Sequence, residues 1–351
     1  MTEAVHIRWF QECDATSVRD VGGKCASLGE LTRAGLAVPP GFAVTTAAHD
    51  LFLRAHELRA RESELLDGLD YDDVAAVTTA SDALRALVEG GELPEDVVAA
   101  IVAAYGELGG GAGVSVPVAV RSSAVSEDLA GASFAGQLET YLWVEGSAAV
   151  VEHVRRCWSG FFTAEALVYR HQHGIGPGDV LMSVGVQRMV RARSAGVMFT
   201  LNPLNGDRSK IVIESTWGLG EPLVSGAVDP DRFMVDKVTL DVLERTVADK
   251  LIEHRPEPTR REVVVADVEE ARRRAPSLSD QEALELARLG KAVERHYGGP
   301  QDVEWAIDAD DGAILVLQAR SETVWSRRER PSVVEKKGSA LEYVLADLLG
   351  R

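Results

Sequence analysis

The sequence predicts a mixed α/β protein with room for two lobes, and three observations lead there. The chain has 351 residues, long for one compact core and comfortable for two. Short β-type runs, such as residues 116–120 and 210–215, alternate with stretches whose apolar side chains recur at helical spacing, as Ala26, Leu28, Leu31, Ala34 and Leu36 do. Glycine and proline punctuate the joints, at Gly35, at Pro39-Pro40-Gly41 and at Gly109-Gly110-Gly111.

In chain order, residues 6–10 read as a short strand, and Gly22-Gly23-Lys24 opens a helix that Gly35 ends. Residues 42–45 form another short strand, and 47–110 are mostly helical, rich in alanine, leucine, glutamate and arginine. A β-type run over 116–120 leads into Arg121-Ser122-Ser123, a small glycine-bounded segment covers 131–136, and 140–144 is strand-like. A single amphipathic helix is expected over 148–172, then strands at 183–190, 196–200, 210–215 and 232–237. A helix over 280–297 precedes a hairpin made of 302–307 and 314–318 around Asp310-Asp311-Gly312. Beyond Trp325 the charge density rises, and Leu341, Val344, Leu345 and Leu348 suggest a short terminal helix that packs back or docks on a partner.

Composition narrows the function. Hydrophobic residues at 46% and charged residues at 26% argue against wholesale disorder. No apolar run approaches the roughly 20 residues that cross a bilayer, so no membrane span is expected. The first residues lack the basic-then-apolar pattern of a signal peptide. Cys13, Cys25 and Cys157 show no CxxC spacing, so neither a disulfide framework nor a zinc site is expected, and a cytoplasmic setting fits. A net charge of −18 disfavours a broad contact with nucleic acid, although a small polyphosphate needs only a few local cations.

Three clusters could carry chemistry. Lys24 beside two glycines and Arg121 at a strand end are phosphate-binding types, a point charge and a two-pronged donor, although either alone is more readily a surface charge. The 131–136 segment is small enough for backbone N–H groups to approach phosphate oxygens, but it fits neither the Walker nor the dinucleotide spacing and could be a plain surface loop. In the hairpin, period-two alternation sets Asp302 and Glu304 on one face of their strand and Gln318 and Arg320 on one face of the next. Hard oxygen donors beside a cation suit Mg²⁺ and a phosphoryl group, against the plainer possibility of a solvated polar face.

The blocks Val21-Gly22-Gly23-Lys24-Cys25-Ala26-Ser27-Leu28-Gly29, Val38-Pro39-Pro40-Gly41-Phe42, Val120-Arg121-Ser122-Ser123-Ala124, and Ala132-Ser133-Phe134-Ala135-Gly136-Gln137 resemble the phosphoenolpyruvate synthase and pyruvate phosphate dikinase family. So do Ser183-Val184-Gly185-Val186-Gln187-Arg188-Met189-Val190, Gly196-Val197-Met198-Phe199-Thr200, Gly218-Leu219-Gly220-Glu221 and residues 302–320, all in family order. The resemblance is to that family's nucleotide-binding, ATP-grasp-type domain. It implies two lobes, 1–190 and 191–325, with ATP in the cleft between them; the charged linker and tail helix over 326–351 lie beyond the matching blocks and rest on the charge and spacing above. It also implies that Lys24 and Arg121 contact ATP phosphates, that Ser133, Phe134, Ala135 and Gly136 close over them, and that Gln187, Met189 and Val190 line the adenine pocket with hinge-type backbone bonds. Glu221 would sit near ribose or adenine, Glu304 and Gln318 would hold Mg²⁺, Asp302 would support them, and Arg320 would stabilise the phosphoryl groups in transfer. The family usually has proline after that arginine; here the residue is Ser321, which leaves the geometry of the strand exit open.

Family members that transfer phosphoryl groups use a histidine in a Thr-Ser-His-Ala-like setting on a separate domain. None of the eight histidines, His6, His49, His56, His153, His171, His173, His254 and His296, has that context. The resemblance therefore implies an ATP-binding subunit, akin to that of phenylphosphate synthase, working with separate histidine-bearing and substrate-bearing partners on a small hydroxyl acceptor. A subunit of a split phosphoenolpyruvate synthase and a silent nucleotide sensor are the alternatives.

Overall fold

The computed structural model describes residues 5–111, 113–125, 139–176, 181–257 and 259–325. The β-type runs assemble into two antiparallel sheets with helices packed on them. In the first are β1 (Ile7–Trp9), β2 (Gly41–Val44), β3 (Val118–Ala124), β4 (Thr140–Val144) and β5 (Met182–Arg188), in the order β1-β2-β5-β3-β4. β2 is buried throughout and β5 over its first six residues, which is why both read as small and apolar runs without clean alternation.

Among the described residues seven helices pack around this sheet: α1 (Val18–Arg33), α2 (Thr46–Ala55), α3 (Leu58–Leu66), α4 (Val74–Gly90), α5 (Glu95–Leu108), α6 (Ser147–Ser159) and α7 (Ala164–Gln172). Thr45, Asp73 and Thr163 cap α2, α4 and α7 with side-chain oxygens that accept backbone N–H bonds. Phe42, Phe52, Leu84, Ile101 and Trp158 fill the core they share. The single helix expected over 148–172 is two helices: a 3₁₀ turn at Gly160–Phe162 sends Phe161 and Phe162 into the core, and Thr163 restarts the helix.

The second sheet runs β13-β12-β6-β7-β8-β9 in space and comprises β6 (Ala192–Phe199), β7 (Lys210–Trp217), β8 (Asp231–Asp236), β9 (Val242–Thr246), β12 (Gln301–Asp308) and β13 (Ile314–Ser321). A separate ribbon pairs β10 (Ile252–Glu257) with β11 (Glu262–Asp267). The short helices α8 (Glu221–Val224) and α9 (Glu270–Arg273) precede α10 (Asp280–Tyr297). α10 starts at a reciprocal Ser279–Glu282 cap and ends at Gly298 in the left-handed region. Its apolar stripe, Ala283, Leu286, Ala287 and Val293, packs on Ile211, Ile213, Phe233 and Trp305. β9, β10 and β11 are not among the strands the sequence predicts; in β9 four of the five residues are exposed and the sequence carries no apolar alternation.

α1 belongs to both halves. Val21, Cys25, Ala26 and Leu28 pack with Phe10 and Ala43, whereas Leu31 enters the core under α10. The backbone N–H of Val316 then donates to Ala37 O at 2.8 Å, tying the segment after α1 to β13. Cys13, Cys25 and Cys157 are buried and unbridged, and burial pushes the Cys13 thiol up to about 11 and Cys157 to about 12. Among the described residues no helix is long and apolar enough to cross a membrane. The 131–136 segment and the charged tail lie outside the described residues.

Candidate functional site

β3 brings its cation to the boundary between the sheets. Its apolar side chains Val118 and Val120 are buried, which fixes the strand and leaves Arg121 to project from it. Arg121 Nη2 donates to Glu304 Oε2 at 3.0 Å and to Gln318 Oε1 at 2.9 Å, and its Nη1 donates to Leu317 O at 3.2 Å. A first-sheet arginine thus grips the hairpin of the second sheet.

In that hairpin the register pairs Asp302 with Arg320 and Glu304 with Gln318, directly across the ladder. A bulge between Glu304 and Trp305 follows the acidic pair. Arg320 Nε lies 3.4 Å from Asp302 Oδ2 and its side chain remains 54% exposed, so it can turn toward a second anion. Asp302 Oδ1 is buried without a hydrogen-bond partner, and burial pushes this carboxyl up while the Arg320 charge opposes the rise. The strand β13 continues through Ser321, whose Oγ accepts from Gln301 Nε2 at 3.4 Å, so the exit stays in ladder register without the family's proline.

α1 supplies the second cation. Gly22, at φ +71°, interrupts the helix, and a Cβ there would stand 2.1 Å from Ser123 O. This close approach is why glycine occupies the position and why regular helix starts only after it. Ser123 Oγ donates to Val21 O at 2.9 Å and accepts from Cys25 N at 3.2 Å, stitching the kink to β3. Lys24 Nζ donates to Ser122 O at 3.1 Å, so it lies beside the residue that follows Arg121. One turn on, Ser27 Oγ donates to Ala319 O at 2.9 Å, between Gln318 and Arg320. Ser27 was not anticipated; its i, i+3 spacing from Lys24 is the signal that places both on one helix face.

Lys24, Arg121, Asp302, Glu304, Gln318 and Arg320 are therefore linked by contacts or by one residue's separation. The adenine-pocket candidates lie at the crossing from β5 to β6. Gln187 is buried with Nε2 donating to Pro39 O at 3.4 Å, and Val190 packs on Ala195 and Ala306. The Met189 N–H already donates to Pro117 O at 2.9 Å, so a hinge bond at this residue falls to its carbonyl. Glu221 Oε2 lies 3.1 Å from His254 Nδ1. Ser133, Phe134, Ala135 and Gly136 lie outside the described residues.

The donor set suits a hard cation. Glu304 Oε2 and Gln318 Oε1 converge on one guanidinium nitrogen, which shows that the two oxygens face a common point. Among the described residues no group of three or more histidine, cysteine, aspartate or glutamate side chains is arranged to hold a metal. Mg²⁺ nevertheless usually takes only one or two carboxylates from protein, with phosphates and water completing its shell, so the Glu304 carboxylate meets that need and Gln318 adds a further hard oxygen. Cavities of about 370 and 460 Å³ lie elsewhere, the first lined by Arg208, Lys237, Lys291 and Arg295, the second by Tyr71, Arg170 and His171.

The boundary between the two sheets thus gathers Lys24 and Arg121 beside the oxygens of Glu304 and Gln318, a donor set of the kind nucleotide-binding domains present to phosphates and a metal. Residues 18–340 match the family described as the pyruvate phosphate dikinase AMP/ATP-binding domain, and the chain belongs to that family. It is 43% identical over 97% of its length to a probable phosphoenolpyruvate synthase of Methanocaldococcus jannaschii, and it spans 28% of that protein. It is 38% identical over 97% of its length to the phosphoenolpyruvate synthase of Pyrococcus furiosus, spanning 46% of it. The chain thus corresponds to less than half of these relatives. A solved D-alanyl-alanine synthetase A from Vibrio cholerae aligns with 73% of this chain and 56% of its own at 10% identity, with a TM-score of 0.26, too loose to carry the fold.

Proposed function

We propose that the chain binds Mg-ATP between its two sheets and passes a pyrophosphoryl group to a histidine on a partner subunit. The observation that carries this reading is the contact of Arg121 with both Glu304 and Gln318, which draws the cation-bearing and oxygen-bearing halves onto one point. Lys24 and Arg121 would hold the phosphate oxygens, Arg320 would neutralise charge in the transferring group, and Asp302 would orient Arg320. Bound Mg²⁺, held by Glu304 and Gln318, would neutralise phosphate oxygens. Met189 and Val190, where the chain crosses from one sheet to the other, would bound the adenine, with Glu221 near the sugar.

In the reaction the partner's imidazole nitrogen attacks the β-phosphorus of ATP, the bond from that phosphorus to the α-phosphate oxygen breaks, and AMP leaves. Water then removes the terminal phosphate, and the remaining phosphoryl group passes from the histidine to a hydroxyl acceptor. Positioning and charge neutralisation supply most of the rate in such transfers. A small phenol is one acceptor class. The phosphoenolpyruvate synthases among the relatives favour a second, the enol oxygen of pyruvate. A cytoplasmic enzyme fits either.

Calorimetry of the chain with Mg-ATP tests the binding step, and absence of ATP uptake overturns the proposal. Mass spectrometry of a mixture with the histidine-bearing partner tests the transfer. A pyrophosphoryl mass on the partner histidine together with AMP is expected. ATP uptake without AMP would instead mark a nucleotide sensor.

A further inference from the structure

Arg121 is more than a phosphate ligand. Its Nη2 stands 3.0 Å from Glu304 Oε2 and 2.9 Å from Gln318 Oε1, so a single nitrogen occupies the point that both oxygens face. A Mg²⁺ ion bonded to those oxygens needs distances of about 2.0–2.1 Å to each. An ion held by both oxygens would compete for the point that the guanidinium nitrogen occupies, and two like charges there would oppose each other. The contact is also only moderately screened, with Arg121 16% and Glu304 33% exposed. Nη1 holds Leu317 O at 3.2 Å, which anchors the guanidinium to the backbone of the same strand and sets its reach.

We infer that Arg121 is a competitor of the metal at the Glu304–Gln318 oxygen pair, and that it surrenders this pair when a metal-bound polyphosphate offers it anionic oxygens instead. This rests on the reading of Glu304 and Gln318 as metal donors. The same residue then opposes metal binding in isolation and supports metal-nucleotide binding, because phosphate oxygens replace the donors it gives up. Metal and nucleotide become positively coupled through one side chain: neither alone both fills the oxygen pair and satisfies the guanidinium. The contact is also a latch between sheets, since Arg121 lies on β3 and its partners on β12 and β13.

The test measures Mn²⁺ uptake by electron paramagnetic resonance, with the full chain and no nucleotide, and Mg-ATP uptake separately by calorimetry. Removing a unit charge this close is expected to tighten Mn²⁺ binding about tenfold in Arg121→Ala. The same variant is expected to bind Mg-ATP more weakly than the wild type. Glu304→Gln combined with Arg121→Ala should abolish the Mn²⁺ gain, which locates it at this pair. Unchanged or weaker Mn²⁺ binding in Arg121→Ala, with a wild-type circular dichroism spectrum, overturns the inference, as does a gain that survives the Glu304 substitution. Should Arg121→Ala fail to fold, Arg121→Gln removes the charge while keeping side-chain bulk and is read in the same way. A wild-type chain that takes up no Mg-ATP, beside a Mn²⁺ gain in the variant, would sink the functional proposal and leave the competition standing.

Discussion

Ser27 on α1 and Tyr297 at the end of α10 meet at 2.8 Å through their hydroxyls, 270 residues apart in sequence. Ser27 also donates to Ala319 O at 2.9 Å, so the helix that bears Lys24 is fastened to the strand that bears Gln318 and Arg320. Ser27→Ala is expected to cost about 1 kcal/mol of unfolding free energy and to weaken Mg-ATP binding. Tyr297→Phe should cost less than Ser27→Ala, and the double variant less than the sum of the two. Urea unfolding of the four chains measures this; strict additivity would deny the coupling.

Gly22 is held at φ +71° with Ser123 O 2.1 Å from where a Cβ would stand. Both the backbone and the space reject a side chain there, so Gly22→Ala is expected to cost about 3 kcal/mol or more. Gly312 has nearly the same φ, +73°, but nothing lies within 4 Å of its Cβ position. Gly312→Ala should therefore cost only about 1–2 kcal/mol, the left-handed conformational term alone. Thermal unfolding of both variants separates steric conflict from conformational cost.

Arg320 pairs with Asp302 at 3.4 Å yet leaves Glu304 and Gln318 to Arg121. Its removal spares the donors proposed to hold the nucleotide. Arg320→Ala should lower AMP formation with the partner about 10²–10³-fold while Mg-ATP affinity changes little. Quenched-flow assay of AMP beside calorimetric titration checks it, and near-normal turnover would remove Arg320 from the mechanism.

Lys250 and Asp231 are fully buried and paired at 2.5 Å, with Asp231 also accepting from Ser277 N and Oγ at 2.7 Å. Lys250→Met would strand a buried carboxylate, and a loss of about 3–5 kcal/mol is expected. Denaturant unfolding would contradict this if the variant matched the wild type.

His49 is buried against Trp158, accepts from Met182 N at 3.1 Å through Nδ1, and has no partner at Nε2. Burial pushes its imidazole down to about 3 from an ordinary 6.5. The folded form therefore stays neutral where the unfolded chain takes a proton. Its stabilising contribution is full above about pH 6.5 and declines as pH falls toward 3, with a limiting slope of about 1.4 kcal/mol per pH unit. His49→Gln should flatten this slope by one proton in unfolding measured from pH 7 to 4.

The local elements were legible where side chains report their surroundings. The α10 boundaries follow from Ser279, Glu282 and Gly298, and the β12–β13 hairpin from its alternation. The break at Gly160 was not legible, because the turn that diverts the chain exists to bury Phe161 and Phe162 in a core made elsewhere. Nor was β9, whose pairing with β8 is held by backbone bonds and leaves no apolar record.

Residue order alone sets which side chains share a face: Asp302 with Glu304, Gln318 with Arg320, and Lys24 on a helix after two glycines. The packing of the two sheets is what makes Arg121 meet Glu304 and Gln318, Ser27 reach Ala319, and α1 serve both cores. Periodicity fixes direction over a few residues, because it comes from the local backbone repeat. Contacts between groups 183 and 197 positions apart depend on how the sheets pack, which no short-range pattern encodes.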